Sequence, residues 1–220
     1  MFKLKFTYIL LVSSIICLLS TCKIGGEAHQ EIYFNDFDAK DTSSIENYKF
    51  MQFNQSTVLG NYNNAGFTLK LDQLPSHDLV NISFTLYIHD IWDGNITQGG
   101  VGGPDIWEME VNNAPFIYTT FSNHYCGDIF CDPQSYPDNY PNNNHNPKSG
   151  AINKELPGVC SLNGIPDGTS AYHINKTIVH QNSDLTIKCL DHLIQTNTQD
   201  PLCYASWSVD SLKVSLIRLY

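Results

Sequence analysis

Oxygen-bearing side chains gather at one point of this chain. Asp90, Asp93 and Asn95 fall within six residues, and Asp105 follows a glycine run that lets the backbone approach closely. Carboxylates on so short a turn can hold a cation, or grip sugar hydroxyls through paired hydrogen bonds. Aromatic residues are interleaved with them: Trp92 and Trp107, then Tyr125, Tyr136 and Tyr140. A flat ring can take the apolar face of a sugar while nearby acids take its hydroxyls. A plainer account stands beside each. Asp93-Gly94 is ordinary turn chemistry and Asp90 a strand-end cap, while Trp107 and Trp207 fall in strand patterns where core packing is the usual role. The binding expectation therefore rests on Asp90, Trp92, Asp93, Asp105, Tyr136 and Tyr140, and a glycan on Asn95 would remove that amide as a ligand.

Catalysis has less to stand on. Glu108 and Glu110 alternate on one strand face, as the acids of some jelly-roll glycoside hydrolases do. The E-x-D-x-x-E pattern of those enzymes is absent, because Glu108-Met109-Glu110 runs into Val111-Asn112-Asn113. Neither G-x-S-x-G nor H-E-x-x-H occurs. The eight histidines, among them His89, His124, His145 and His173, are scattered without zinc spacing. No catalytic residue is assigned. A glycoside hydrolase or lyase using the acids around Glu108 is the second reading of the chain.

The start of the chain reads as an address. Lys3 and Lys5 precede an apolar run from Tyr8 to Leu19, of signal-peptide length and too short for a comfortable bilayer span. Residues 1–22 are expected to be the signal and 23–220 one domain, with no transmembrane segment. Leu19-Ser20-Thr21-Cys22 also resembles a bacterial lipobox, so a lipid anchor at Cys22 is the alternative location. Thr21 fits it poorly, and the sequons at Asn54, Asn81, Asn95 and Asn175 favour secretion as a glycoprotein. The formal charge is −10, and −12 once Lys3 and Lys5 leave with the signal. Such a polyanion is a poor partner for nucleic acid and attracts cations, calcium foremost outside cells. Beyond the signal stand Cys126, Cys131, Cys160, Cys189 and Cys203, enough for two disulfides and one thiol. Cys126 with Cys131 closes a tight loop and Cys189 with Cys203 a longer one, leaving Cys160 over; spacing alone does not fix the pairing.

The elements that must position these residues are strands. Phe67, Leu69 and Leu71 alternate with polar neighbours; so do Val80, Ile82, Phe84, Leu86 and Ile88, and Trp107, Met109 and Val111. Ile117–Phe121, Tyr172–Val179, Leu185–Leu190 and Leu212–Leu216 complete the set. Turn residues separate them, as at Asp93-Gly94, Asn112-Asn113 and Asp167-Gly168. One apolar face per strand predicts an all-β fold, a two-sheet antiparallel β-sandwich of jelly-roll type in a single domain. Residues 126–168 break the pattern as a long Pro- and Asn-rich loop, expected to be stapled by its cysteines.

Five strings occur in order: Asp90-Ile91-Trp92-Asp93-Gly94, Gly103-Pro104-Asp105, Thr119-Thr120-Phe121-Ser122-Asn123, Gln134-Ser135-Tyr136-Pro137, and Ser206-Trp207-Ser208-Val209-Asp210. Together they resemble a poorly characterised family of secreted jelly-roll domains, concanavalin-like or carbohydrate-binding-module-like, over residues 31–217. The chain departs from the family at Ser208-Val209-Asp210-Ser211, where Gly-Ile-Asp-Asn is commoner. The resemblance implies a calcium ion between an acid of the first strand, Asp36 or Asp38, and Asp210 in the last. It also implies a non-catalytic, calcium-stabilised extracellular domain that binds carbohydrate or a glycoprotein partner. A purely structural cell-surface or matrix glycoprotein is the third reading.

Overall fold

A computed structural model describes residues 26–97, 103–124, 126, 131–196 and 198–220. Residues 1–22, expected to be a signal, with Cys22 among them, and Tyr125 lie outside the described residues. In chain order the strands are β1 (Glu27–Asn35), β2 (Ile45–Glu46), β3 (Phe50–Phe53), β4 (Ser56–Tyr62), β5 (Gly66–Leu71), β6 (Leu79–Asp90), β7 (Ile106–Val111), β8 (Ala114–Thr120), β9 (Asn153–Leu156), β10 (Thr169–Val179), β11 (Leu185–His192) and β12 (Ala205–Leu219). A single helical turn, α1 (Pro201–Tyr204), precedes the last strand.

The strands form two antiparallel sheets packed face to face. The larger runs β3-β4-β12-β6-β10-β9, with β1 also on β12, and the smaller runs β2-β5-β11-β7-β8. The expected β-sandwich is therefore the observed fold. Its core follows from the period-two pattern, since successive side chains on a strand point to opposite faces. Val80, Ile82, Phe84, Leu86 and Ile88 are buried along β6; Trp107 and Met109 face them from β7, and Ile187 and Cys189 from β11. Trp107 stands perpendicular to Trp207 with ring centroids 5.9 Å apart, which fixes the centre of the core. Both tryptophans are core residues, as their strand patterns suggested.

Turn chemistry sets the registers. Asn54-Gln55 and Asn112-Asn113 each place two successive residues at positive φ, the requirement of a two-residue type I′ hairpin, and they join β3 to β4 and β7 to β8. The terminal strand exceeds the expected Leu212–Leu216. It runs from Ala205, pairing with β6 along one edge and with β4 and then β1 along the other. A register shift between Asp210 and Lys213, with Ser211 at φ 55°, marks the handover.

The disulfides are Cys126–Cys131 and Cys160–Cys203. The expectation for Cys189 is corrected: it is a free thiol, because its place on β11, paired with Phe67 and Met109, turns it into the core. Cys160 instead ties the long loop to α1. From Cys131 onward that loop is held by the buried amide of Gln134. Gln134 accepts from the backbone N–H groups of Ser122 and Lys148 and donates to the carbonyls of Tyr136 and Ser149. It also contains β9, a short strand on the edge of β10 that its polar sequence concealed.

Candidate functional site

Four of the expected binding residues meet at the end of the sandwich where β6 runs out, and the structure divides them. Asp90 is fully buried, and its carboxylate accepts from the backbone N–H groups of Val159, Cys160 and Leu162. Burial pushes its pKa up, against those three hydrogen bonds. Asp90 is thus the peg of the long loop, with no free oxygen face for a ligand. Trp92 is also corrected as a sugar platform. It is wholly buried, donates from Nε1 to the Ser206 carbonyl at 2.9 Å, and packs edge-on against Phe121.

Asp93 and Asp105 remain chemically interesting. Asp105 is buried, one oxygen accepting the Asp93 N–H at 2.6 Å while the other has no hydrogen-bond partner. Burial pushes its pKa up to about 8, and the charges of Asp93 and Asp191 act in the same direction. The Asp93 carboxylate meets Nε2 of His124 at 2.8 Å, and Nδ1 of His124 lies 3.0 Å from Asp132. These contacts, the Asp93 hydrogen bond first, raise the pKa of His124. Backbone contacts hold the cluster. Asn95 donates to the Pro133 carbonyl at 2.7 Å, and a Cβ on Gly94 would stand 2.2 Å from that same oxygen. Asn123, next to His124, donates from its amide to the carbonyls of Asp90 and Gly168. His124 and Asp132 escaped sequence reasoning because they lie in different segments; the glycine at 94 was the available signal of close approach.

Of the two loop tyrosines, Tyr136 is half-buried against Phe121 and Tyr172, at 4.9 and 5.2 Å between ring centroids, and so belongs with the core. Tyr140 lies along the edge of β8, its N–H on the Tyr118 carbonyl. Tyr118 itself, 37 % exposed, was not anticipated.

It belongs to a row on the outer face of the five-stranded sheet. Gly66, Leu190, Glu108 and Tyr118 pair in register across β5, β11, β7 and β8. Thr68, Lys188 and Glu110 form a parallel row. Glu108 pairs with His192 at 3.0 Å and Glu110 with Lys188 at 3.5 Å. A depression of about 330 Å³ lies beside these rows, lined by Asn64, Thr68, Lys188 and His192 among others. Gly66 cannot carry a side chain there, since a Cβ would fall 1.9 Å from the Cys189 carbonyl.

The expected metal acids share one corner. Asp36 and Asp38 are exposed, and their charges add to burial in raising the pKa of Asp210. Asp38 accepts from the Thr57 N–H and Ser56, and Asp36 from the Asp38 N–H. Among the sequons, Asn54 sits on an exposed hairpin tip. Asn81 and Asn175 are hydrogen-bonded to each other across β6 and β10 at 2.7 Å. Asn95 departs from the others. Its amide nitrogen donates to the Asn143 carbonyl and Asn144, and its oxygen accepts from Thr120 and Ser135, so the side chain is spent inside the loop.

No family model matches the chain, and no curated protein matches it. Among solved structures, a family 35 carbohydrate-binding module from Clostridium thermocellum overlaps 86 % of this chain and 97 % of its own, at TM-score 0.35 and 10 % identity. The C-terminal CBM6 of LamC, a marine laminarinase from Zobellia galactanivorans, overlaps 86 % and 98 %, at TM-score 0.31 and 9 % identity. At that level of overlap neither transfers a site residue to this chain.

Proposed function

We propose that this chain is an extracellular carbohydrate-binding domain whose ligand lies across the outer face of the five-stranded sheet. The observation that supports it is the row Gly66, Leu190, Glu108, Tyr118. Three strand spacings of about 4.8 Å make this row about 14 Å long, enough for an extended saccharide. It offers bare backbone at the glycine, an apolar floor at Leu190 and an aromatic face at Tyr118. Glu108, only 8 % exposed, is oriented by His192, while Lys188 and Glu110 add a donor and an acceptor alongside. An apolar stacking face bordered by a few fixed polar groups is what sugar rings require. The two disulfides fit an oxidising compartment, and the net charge of −10 disfavours nucleic acid as a partner. The partner in this reading is a polysaccharide or the glycan of a glycoprotein, met after secretion through the N-terminal signal.

Retention on immobilised polysaccharides tests it. Tyr118→Ala should weaken binding at least tenfold, about 1.4 kcal/mol, with the thermal midpoint unchanged. Equal retention of the variant would refute this placement, and no retention on any glycan would refute carbohydrate binding. Release of reducing sugar by the wild type, abolished in Glu108→Gln, would replace the reading with the hydrolase.

The same reading places calcium at the corner of Asp36, Asp38 and Asp210, which the pairing of β1 with β12 brings together. Millimolar calcium should then raise the thermal midpoint over that in chelator by about 3 °C or more, and Asp210→Ala should remove the gain. An unchanged wild-type midpoint would take calcium out of the reading.

A further inference from the structure

We propose that Asp93, His124 and Asp132 bind one divalent transition cation of the zinc class, which clasps the Cys126–Cys131 loop to the end of the sandwich. Their ligand atoms lie within 4.8 Å of one another, the only such trio of His, Cys, Asp and Glu side chains among the described residues. Ligands on a tetrahedral zinc, with bonds of about 2.1 Å, stand about 3.4 Å apart. The three side chains therefore have to draw closer by about 1 Å to bind an ion. One ring nitrogen of His124 and an oxygen from each aspartate are three donors, and water completes four.

Three segments converge here, and each is already held. Asp93 bridges to Ser122, Asn95 donates to the Pro133 carbonyl, and Asn123 donates to the Trp92 carbonyl. A second, independent feature points to a cation. Asp105, wholly buried, spends one oxygen on the Asp93 N–H and leaves the other without a partner. Two carboxylates, Asp93 and Asp132, flank one imidazole, a set of two oxygens and one nitrogen that suits a zinc-class dication. A nitrogen donor selects zinc-like ions, whereas calcium takes six to eight oxygens. Asp132 adjoins Cys131, so the ion would fasten the disulfide loop to the connections that follow β6 and β8.

Calorimetric titration of the chelator-treated, disulfide-intact chain with zinc chloride tests the site. The expected result is one zinc per chain, not displaced by calcium, with affinity at least tenfold weaker in His124→Gln and in Asp132→Asn. Asp132 is partly exposed, so its variant reports on binding even if His124→Gln folds poorly. Absence of zinc binding by the wild type overturns the proposal. So does full-strength binding by Asp132→Asn, which would put the ion elsewhere, for instance on His77 and His180, whose rings meet at 2.7 Å. The site shares no residue with the Tyr118 row, so its failure and that of the sugar reading are separable.

Discussion

Asp90→Ala should cost the folded chain about 3–5 kcal/mol, the largest loss expected from any single polar side chain outside the core centre. The residue sits at φ 61° at the end of β6, and its carboxylate is the common acceptor for the N–H groups of Val159, Cys160 and Leu162. Hydrogen bonds to a charged acceptor contribute about 1.5–3 kcal/mol each. The sum is smaller here because the 159–162 turn is partly exposed and water recovers some of the loss. Asp90→Asn keeps a residue tolerant of left-handed backbone and one carbonyl oxygen, so about half the loss should remain. Urea unfolding of the three proteins measures both values. A cost below about 1 kcal/mol for the alanine variant would mean that the Cys160–Cys203 disulfide holds this turn without the carboxylate.

The second large effect is an acid dependence centred on His89. Its imidazole is fully buried, with Nδ1 3.0 Å from the Thr169 hydroxyl, Nε2 2.7 Å from the Ser208 hydroxyl, and Phe53 edge-on at 4.7 Å. Burial pushes its pKa down to about 3. The unfolded chain, with histidine near 6.5, therefore takes up a proton before the folded chain does. The stability from this group is complete above about pH 6.5 and is lost as pH falls toward about 3. It amounts to about 5 kcal/mol over the interval, or 1.4 kcal/mol per pH unit at the steepest. Glutamine at this position can bond both hydroxyls and carries no titrating proton. His89→Gln should be less stable near pH 7 yet lose less on acidification, and the difference between the two curves isolates His89 from the carboxylates. Parallel curves between pH 6 and 4 would show that the ring does not stay neutral in the folded chain.

The sandwich was legible in the sequence because its physics is local. Alternation in β6, β7 and β11 states which face is buried, since a residue's neighbours two positions away share its face. The Asn112-Asn113 hairpin was legible for a similar reason, as asparagine tolerates positive φ. Strands β2, β3, β4 and β9 were missed because edge pairing and burial on both sides override alternation, and β4 is apolar almost throughout. The sites were less legible. Asp90, Trp92, Asp93 and Asp105 were singled out by type and spacing, and they do lie together, but sequence could not say which oxygens were already spent.

By itself the sequence determined that this is an all-β chain with an acidic balance and a cysteine-stapled loop, because composition and period-two patterning decide those. The tertiary structure alone decided that Cys189 faces the core while Cys160 reaches Cys203, since direction from a strand and distance in space set disulfide pairing. It alone brought His124 and Asp132 to Asp93, and Gly66 and Leu190 into line with Glu108, from segments well apart in the chain. A ligand reads positions in space, and spatial neighbours on packed strands and loops are set by pairing and by buried hydrogen bonds, neither of which sequence separation records.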